Sequence, residues 1–232
     1  MTIRFLPILA GATLRDRMVA CVGAAIAITL TGLIAAQIAG AATALLIVAP
    51  MGASAVLVFA VPASPLAQPW PVIGGNVISA LVGVAVARLV PIPALAAGLA
   101  VAGAILAMSL SRSLHPPGGA TALMAVIGGA PVAALGWGFA LVPVGVNAVI
   151  LTGVGLLFHR VSGHSYPHVA AVAGVAGAEM GVTGTAGVMP HREDIDLALA
   201  DLRETFDVSR EDLDLLLQRA EFHAERRAGD GR

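Results

Sequence analysis

The residues best placed to do chemistry run His115-Pro116-Pro117-Gly118-Gly119-Ala120-Thr121. An imidazole that titrates near neutrality precedes two prolines, three small residues and a hydroxyl, directly before an apolar run. Proline suits the first turn of a helix, where its missing N–H would have been unpaired anyway. The pattern predicts a loop turning into a helix, with the N–H groups of Gly118, Gly119 and Ala120 uncovered. Such a terminus, backed by the positive end of the helix dipole, is an anion site. A second run of the same kind, Gly52-Ala53-Ser54, follows Pro50. Two half-helix N-termini would then donate N–H groups, and O–H groups from Ser54 and Thr121, to one small anion. The bland alternative is close helix packing, which Gly, Ala, Ser and Thr serve in any membrane bundle. His115 is either a pH-sensitive anion partner or a cap holding the turn. Asn76 and Asn147 are polar residues in apolar runs, and either line a path or bond across helices. No nucleophile and base pair up, so no catalytic residue is assigned. His159, His164 and His168 are too irregularly spaced for a metal site, and nothing calls for a cofactor.

The elements that must position these residues belong to a membrane. Hydrophobic residues make up 58% of the chain, mean hydropathy is +0.90 and only 12% of residues are charged, against about a quarter in soluble domains. Residues 1–161 hold six arginines and one acid, Asp16, a formal +5; the last 71 residues hold seven arginines and thirteen acids, a formal −6. A membrane domain therefore precedes an acidic tail, and no basic surface suggests nucleic acid. The lone Cys21 excludes an intrachain disulfide. The first apolar run outlasts a signal-peptide core, so it is expected to remain as a span.

Apolar runs of bilayer length fall at about 18–37, 41–60, 72–90, 94–110 and 137–158. Pro50 and Gly52 interrupt the second, and the element at about 117–129 is too short to cross alone. Pro62, Pro65, Pro69, Pro71 and Trp70 mark an interfacial loop. Arg15, Arg17, Arg112 and Arg160 flank one side by the positive-inside rule, and Arg88 is the exception. Residues 162–190 read as a linker rich in small residues. Residues 191–232 read as a cytoplasmic helical hairpin, with a capping box at Ser209-Arg210-Glu211-Asp212. The expected fold is all-α: a polytopic bundle of about six transmembrane elements over residues 1–161, plus this tail.

An internal repeat is legible. Residues 50–57 align with 117–124 at an offset of 67, four of eight pairs being identical, and Asn76 aligns with Asn147 at an offset of 71. Copies of three crossings each would be inverted relative to one another, with broken helices at mid-depth.

The motif at 115–123, with Met51-Gly52-Ala53-Ser54-Ala55-Val56-Leu57, Ser64-Pro65-Leu66-Ala67-Gln68-Pro69, Ile73-Gly74-Gly75-Asn76 and Gly136-Trp137, resembles the HPP family of integral membrane proteins over residues 15–168. Some members are linked to nitrite transport in plastids and cyanobacteria. The resemblance implies transport of a small monovalent anion, nitrite first, while six crossings with arginines flanking the first and last predict a multi-pass inner-membrane protein with both termini cytoplasmic. The expected partners are the lipid bilayer, a small inorganic anion and a second copy in a homodimer. The alternative is a membrane sensor or scaffold that signals through its tail and transports nothing.

Overall fold

The computed structural model describes residues 9–10, 12–39 and 47–168, and short stretches at 197–199, 201, 207–208, 212–217 and 219–220. The chain divides into two compact units: Arg15–His168, and Met1–Leu14 with Val169–Arg232. No strand occurs among the described residues.

The larger unit is built of α1 (Leu14–Ala39), α2 (Pro50–Ala60), α3 (Pro69–Leu89), α4 (Pro93–Leu110), α5 (Pro116–Ile127), α6 (Gly129–Leu135) and α7 (Val146–Ser162). Proline opens α2, α3, α4 and α5, where its fixed φ is already helical and its missing N–H costs nothing. Residues 140–145 lead into α7 through a wide turn in which Val142 is extended (φ −130°, ψ 116°) just before Pro143. The proline removes one ladder bond and disfavours helix at the preceding residue, so the seventh helix begins broken.

Four helices are long and apolar enough to cross a bilayer: α1, α3, α4 and the 140–162 segment. Their outward faces carry residues such as Val22, Ile26, Leu33, Leu99, Leu106 and Leu157, an apolar surface too wide to leave in water. α5 and α6 form a further candidate span bent by 98°, with Gly129 at φ +73° supplying the corner. Among the described residues, the six expected elements correspond to four full-length helices, one bent pair and the short α2. The second run is one departure from hydropathy: α2 begins at Pro50 and has 11 residues, so the proline is a helix start and not a mid-helix break. The sixth run is the other, since its interruption at Pro143 is invisible to a hydropathy window.

Side-chain contacts fix which ends lie together. Arg17 Nη1 donates to the Ala60 carbonyl at 2.8 Å, tying the start of α1 to the end of α2. Trp70 Nε1 donates to the Ser111 carbonyl, joining the start of α3 to the end of α4. Past α7, Tyr166 donates to the Ala67 carbonyl, and the His168 N–H to Gln68 Oε1. The far end is marked by Arg88, whose guanidinium lies 5.3 Å from the Trp137 ring centroid.

α3 is the centre of the unit and packs most extensively on α5 and α4. Close approach explains why. A Cβ on Gly83 would stand 2.5 Å from the Ala122 carbonyl oxygen, and one on Gly75 2.6 Å from that of Ser113. Backbones meet directly where side chains are missing.

The smaller unit is described only in part. Ala10 donates its N–H to the Val208 carbonyl at 3.1 Å, and Ala10 and Leu199 form a small core with Val208 and Leu213. Residues 212–217 are helical, within the expected second tail helix; the linker from 169 to 190 lies outside the described residues. The larger unit extends to His168, seven residues past the expected boundary, because Tyr166 is buried against α7 and the loop before α3.

Candidate functional site

Four of the polar residues singled out above meet inside the larger unit. Ser54 on α2, Asn76 on α3, and His115 and Thr121 at the start of α5 are each 0% exposed. Their bonds form one chain. His115 Nδ1 lies 2.8 Å from the Leu66 carbonyl oxygen, which can only accept, so Nδ1 holds the proton. Nε2 of the neutral ring then accepts the Ser54 O–H at 2.8 Å. Ser54 Oγ in turn accepts from Asn76 Nδ2 at 3.3 Å, and the same amide donates to the Val72 carbonyl at 2.8 Å. Asn76 Oδ1 accepts the Thr121 O–H at 2.7 Å. Each donor has a carbonyl, hydroxyl or imidazole acceptor, and none is ionic.

Two hydroxyls in this chain have a second acceptor within reach. Ser54 Oγ lies 3.3 Å from the Pro50 carbonyl, and Thr121 Oγ1 lies 3.3 Å from that of Pro117. Serine and threonine inside helices commonly use this backbone acceptor four residues earlier. Rotation of either hydroxyl breaks the chain without stranding its proton.

Asn147 sits apart from this cluster. It is fully buried near the start of α7, and its Oδ1 accepts the Val48 N–H at 3.1 Å, just ahead of α2. The amide thus serves as a cap supplied from another helix, satisfying a donor that the α2 N-terminus leaves open.

Two of the backbone donors expected to be uncovered, those of Gly118 and Gly52, are bonded. Pro116 and Pro117 have no N–H, and the Gly118 N–H closes a tight turn onto the His115 carbonyl at 2.8 Å. At α2, the Met51 N–H bonds the Val48 carbonyl and the Gly52 N–H that of Ala49. Gly52 and Ala53 face outward, away from Ser54, and Gly52 has nothing within 4 Å of a would-be Cβ. Pro117 and Gly118 are buried, Gly119 is half-buried and a Cβ there would lie 3.9 Å from Val101, and Pro116 and Ala120 are exposed.

One participant escaped the sequence reading, and one histidine outside the cluster stands deeper than expected. The Leu66 carbonyl is a backbone group in a loop whose proline spacing was the only visible feature. His159, placed beside a loop by hydropathy, lies in α7 at 2% exposure. It is bonded to the Val58 carbonyl at 2.9 Å and stacked on Phe59.

The same segment carries the likeness to known proteins. The sequence profile described as "HPP, transmembrane region" matches residues 10–167. A transmembrane protein of Dictyostelium discoideum is 41% identical over 112 residues, 46% of this chain and 39% of that protein. A second transmembrane protein of the same organism is 46% identical over 70 residues, 28% of this chain and 22% of its own length. The chain thus spans well under half the length of either relative. No solved structure matches it significantly. Since the profile covers more than half of the chain and includes every residue of the buried cluster, the protein belongs to the HPP family of transmembrane proteins.

Proposed function

We propose that the HPP domain passes a small monovalent anion, nitrite being the leading candidate, across the inner membrane. The observation that carries this reading is the buried cluster of Ser54, Asn76, His115 and Thr121, where the N-terminal parts of α2 and α5 meet α3. Its groups donate N–H and O–H bonds at sites favoured by helix dipoles, and the larger unit contains no acid beyond Asp16 at its edge. An anion entering the cluster takes over donors now spent on neighbouring oxygens and on the imidazole. Asn76 Nδ2 and the Ser54 and Thr121 hydroxyls replace part of its hydration shell. No bond-making step and no cofactor are needed.

The contacts at the helix ends support a continuous route through the bilayer. α2 brings the chain back to the start of α1 at Ala60, and 111–139 carry it from the end of α4 to the Arg88–Trp137 end. That is six traversals, two of them made with short helices, as inverted repeats of three would require. Arg15, Arg17, Arg112 and Arg160 then fall on one side, which the positive-inside rule makes cytoplasmic, together with both termini. Leu197, Leu215 and Leu216 of the tail are exposed, an apolar face suited to a homodimer. A second reading, a sensor or scaffold that works through its tail, is favoured by the cluster of Ala10, Leu199, Val208 and Leu213 that joins the arm before α1 to the tail.

The deciding experiment is anion flux into proteoliposomes, comparing nitrite, nitrate, chloride and formate for the intact protein and for Thr121→Val. Selective flux that falls at least tenfold in the variant supports transport through the cluster. Absence of flux for every ion, from protein with normal helical circular dichroism and melting, defeats transport and leaves the sensor reading.

A further inference from the structure

Ser79 stands on α3 one turn beyond Asn76 and four residues beyond Gly75, and is fully buried. Its hydroxyl has no hydrogen-bond partner among the described residues. A helical serine ordinarily donates to the carbonyl four residues back, here that of Gly75, and this one does not. The side chain is aimed at the first turn of α5. A Cβ on Gly118 would lie 2.6 Å from Ser79 Oγ, 2.8 Å from Met108 Sδ and 3.0 Å from the Gly75 carbonyl oxygen. Alanine would fill this space without burying an unmade bond, so packing alone does not account for the hydroxyl.

We infer that Ser79 and the Gly118 turn of α5 form a second binding position for a small monovalent anion, one helical turn along α3 from the Asn76–Thr121 pair. The inference rests on the transport reading above and assigns a contact within it. The unused group is a donor, which calls for an acceptor ligand, and a helix N-terminus disfavours a cation at the same point. The two helices touch there through glycine backbone, so the position opens only when α5 moves off α3. α5 has 12 residues and ends at the Gly129 corner, so it is the shorter element of this seam beside the 21 residues of α3. An anion leaving Asn76 and Thr121 then finds the next donor within one turn, as passage through closely spaced sites of moderate strength requires.

The test uses the full-length protein in proteoliposomes with nitrite and chloride as probes. Ser79→Ala is expected to raise the half-saturating nitrite concentration about tenfold, the scale of one hydrogen bond to a charged partner, with melting temperature unchanged or higher. A second variant reads binding directly. Ser79→Cys in a Cys21→Ser background is expected to react with a small anionic thiol reagent, and nitrite is expected to slow that reaction. Wild-type flux with Ser79→Ala at wild-type affinity overturns this site and leaves the transport reading standing. Labelling of the cysteine that nitrite does not slow, or no labelling, also overturns it. Absence of wild-type flux for either ion defeats the transport reading itself.

Discussion

Asn76 is the residue on which the buried cluster turns, because its amide bonds to both short helices, to Ser54 on α2 and Thr121 on α5. Truncating Asn76→Ala takes the short 2.7 Å acceptor from Thr121, leaving its hydroxyl the longer bond to Pro117, and removes a donor from Ser54 in one step. A buried hydrogen bond contributes about 1 kcal/mol net, so losing both is expected to lower the melting temperature of detergent-solubilised protein. Ser54→Ala is expected to cost less, since His115 keeps its Leu66 bond and Asn76 keeps Val72. Equal melting temperatures for wild type and Asn76→Ala would mean that the chain of bonds does not hold the fold. Tyr166, the single tyrosine, offers a spectroscopic handle outside the spans. Burial raises its hydroxyl pKa, because the charged phenolate is the form that loses water. A raised folded pKa stabilises the fold fully below the free tyrosine value of about 10, and that contribution is lost as pH rises toward the folded value. Ultraviolet titration should show no tyrosinate where free tyrosine ionises; absorbance rising at the ordinary pH would place the ring in water.

At the scale of elements, the seam between α3 and α5 is held by absent side chains. Gly75→Val puts a branched side chain where a Cβ alone would already lie 2.7 Å from His115 Cβ and 2.6 Å from backbone oxygen. Overpacking of this kind typically costs about 1–3 kcal/mol or more. Gly98 in α4 is the control, since nothing lies within 4 Å of its would-be Cβ. Gly98→Ala should be neutral, or stabilise by up to about 1 kcal/mol through helix propensity. A thermal shift assay on both variants separates the cases, and similar shifts would deny the close approach.

For the whole molecule, the contacts at the helix ends make a topological prediction. Single cysteines placed at Arg112 and Arg160, in a Cys21→Ser background, should react with a membrane-impermeant thiol reagent from one side of the vesicle. A cysteine at Arg88 should react only from the other. Labelling of positions 88 and 160 from the same side would break the six-traversal route. Removing residues 190–232 should leave the larger unit folded, because its described hydrogen bonds and core lie within Arg15–His168. Retained flux in the truncated protein would argue against the tail as the functional element, and lost flux with an intact fold would make the tail a part of the transport machinery.

Composition and hydropathy alone determined a membrane-embedded helical domain followed by an acidic tail, because lipid imposes one solvent on every outward face and requires helices to satisfy backbone bonds. The proline-led motifs were legible as helix starts for a similarly local reason, since proline acts on the turn in which it stands. What the sequence left open was where those starts point and what satisfies them. Gly118 has its N–H turned onto His115, Asn147 caps α2 from 99 residues away, and the Leu66 carbonyl fixes the His115 tautomer. Each depends on backbone brought together by packing, and a backbone carbonyl or N–H carries no mark in a sequence. The same limit hid Ser79, whose significance lies in a bond it does not make and a glycine it faces 39 residues away. Only the tertiary structure could place that unpaired donor against the turn of α5.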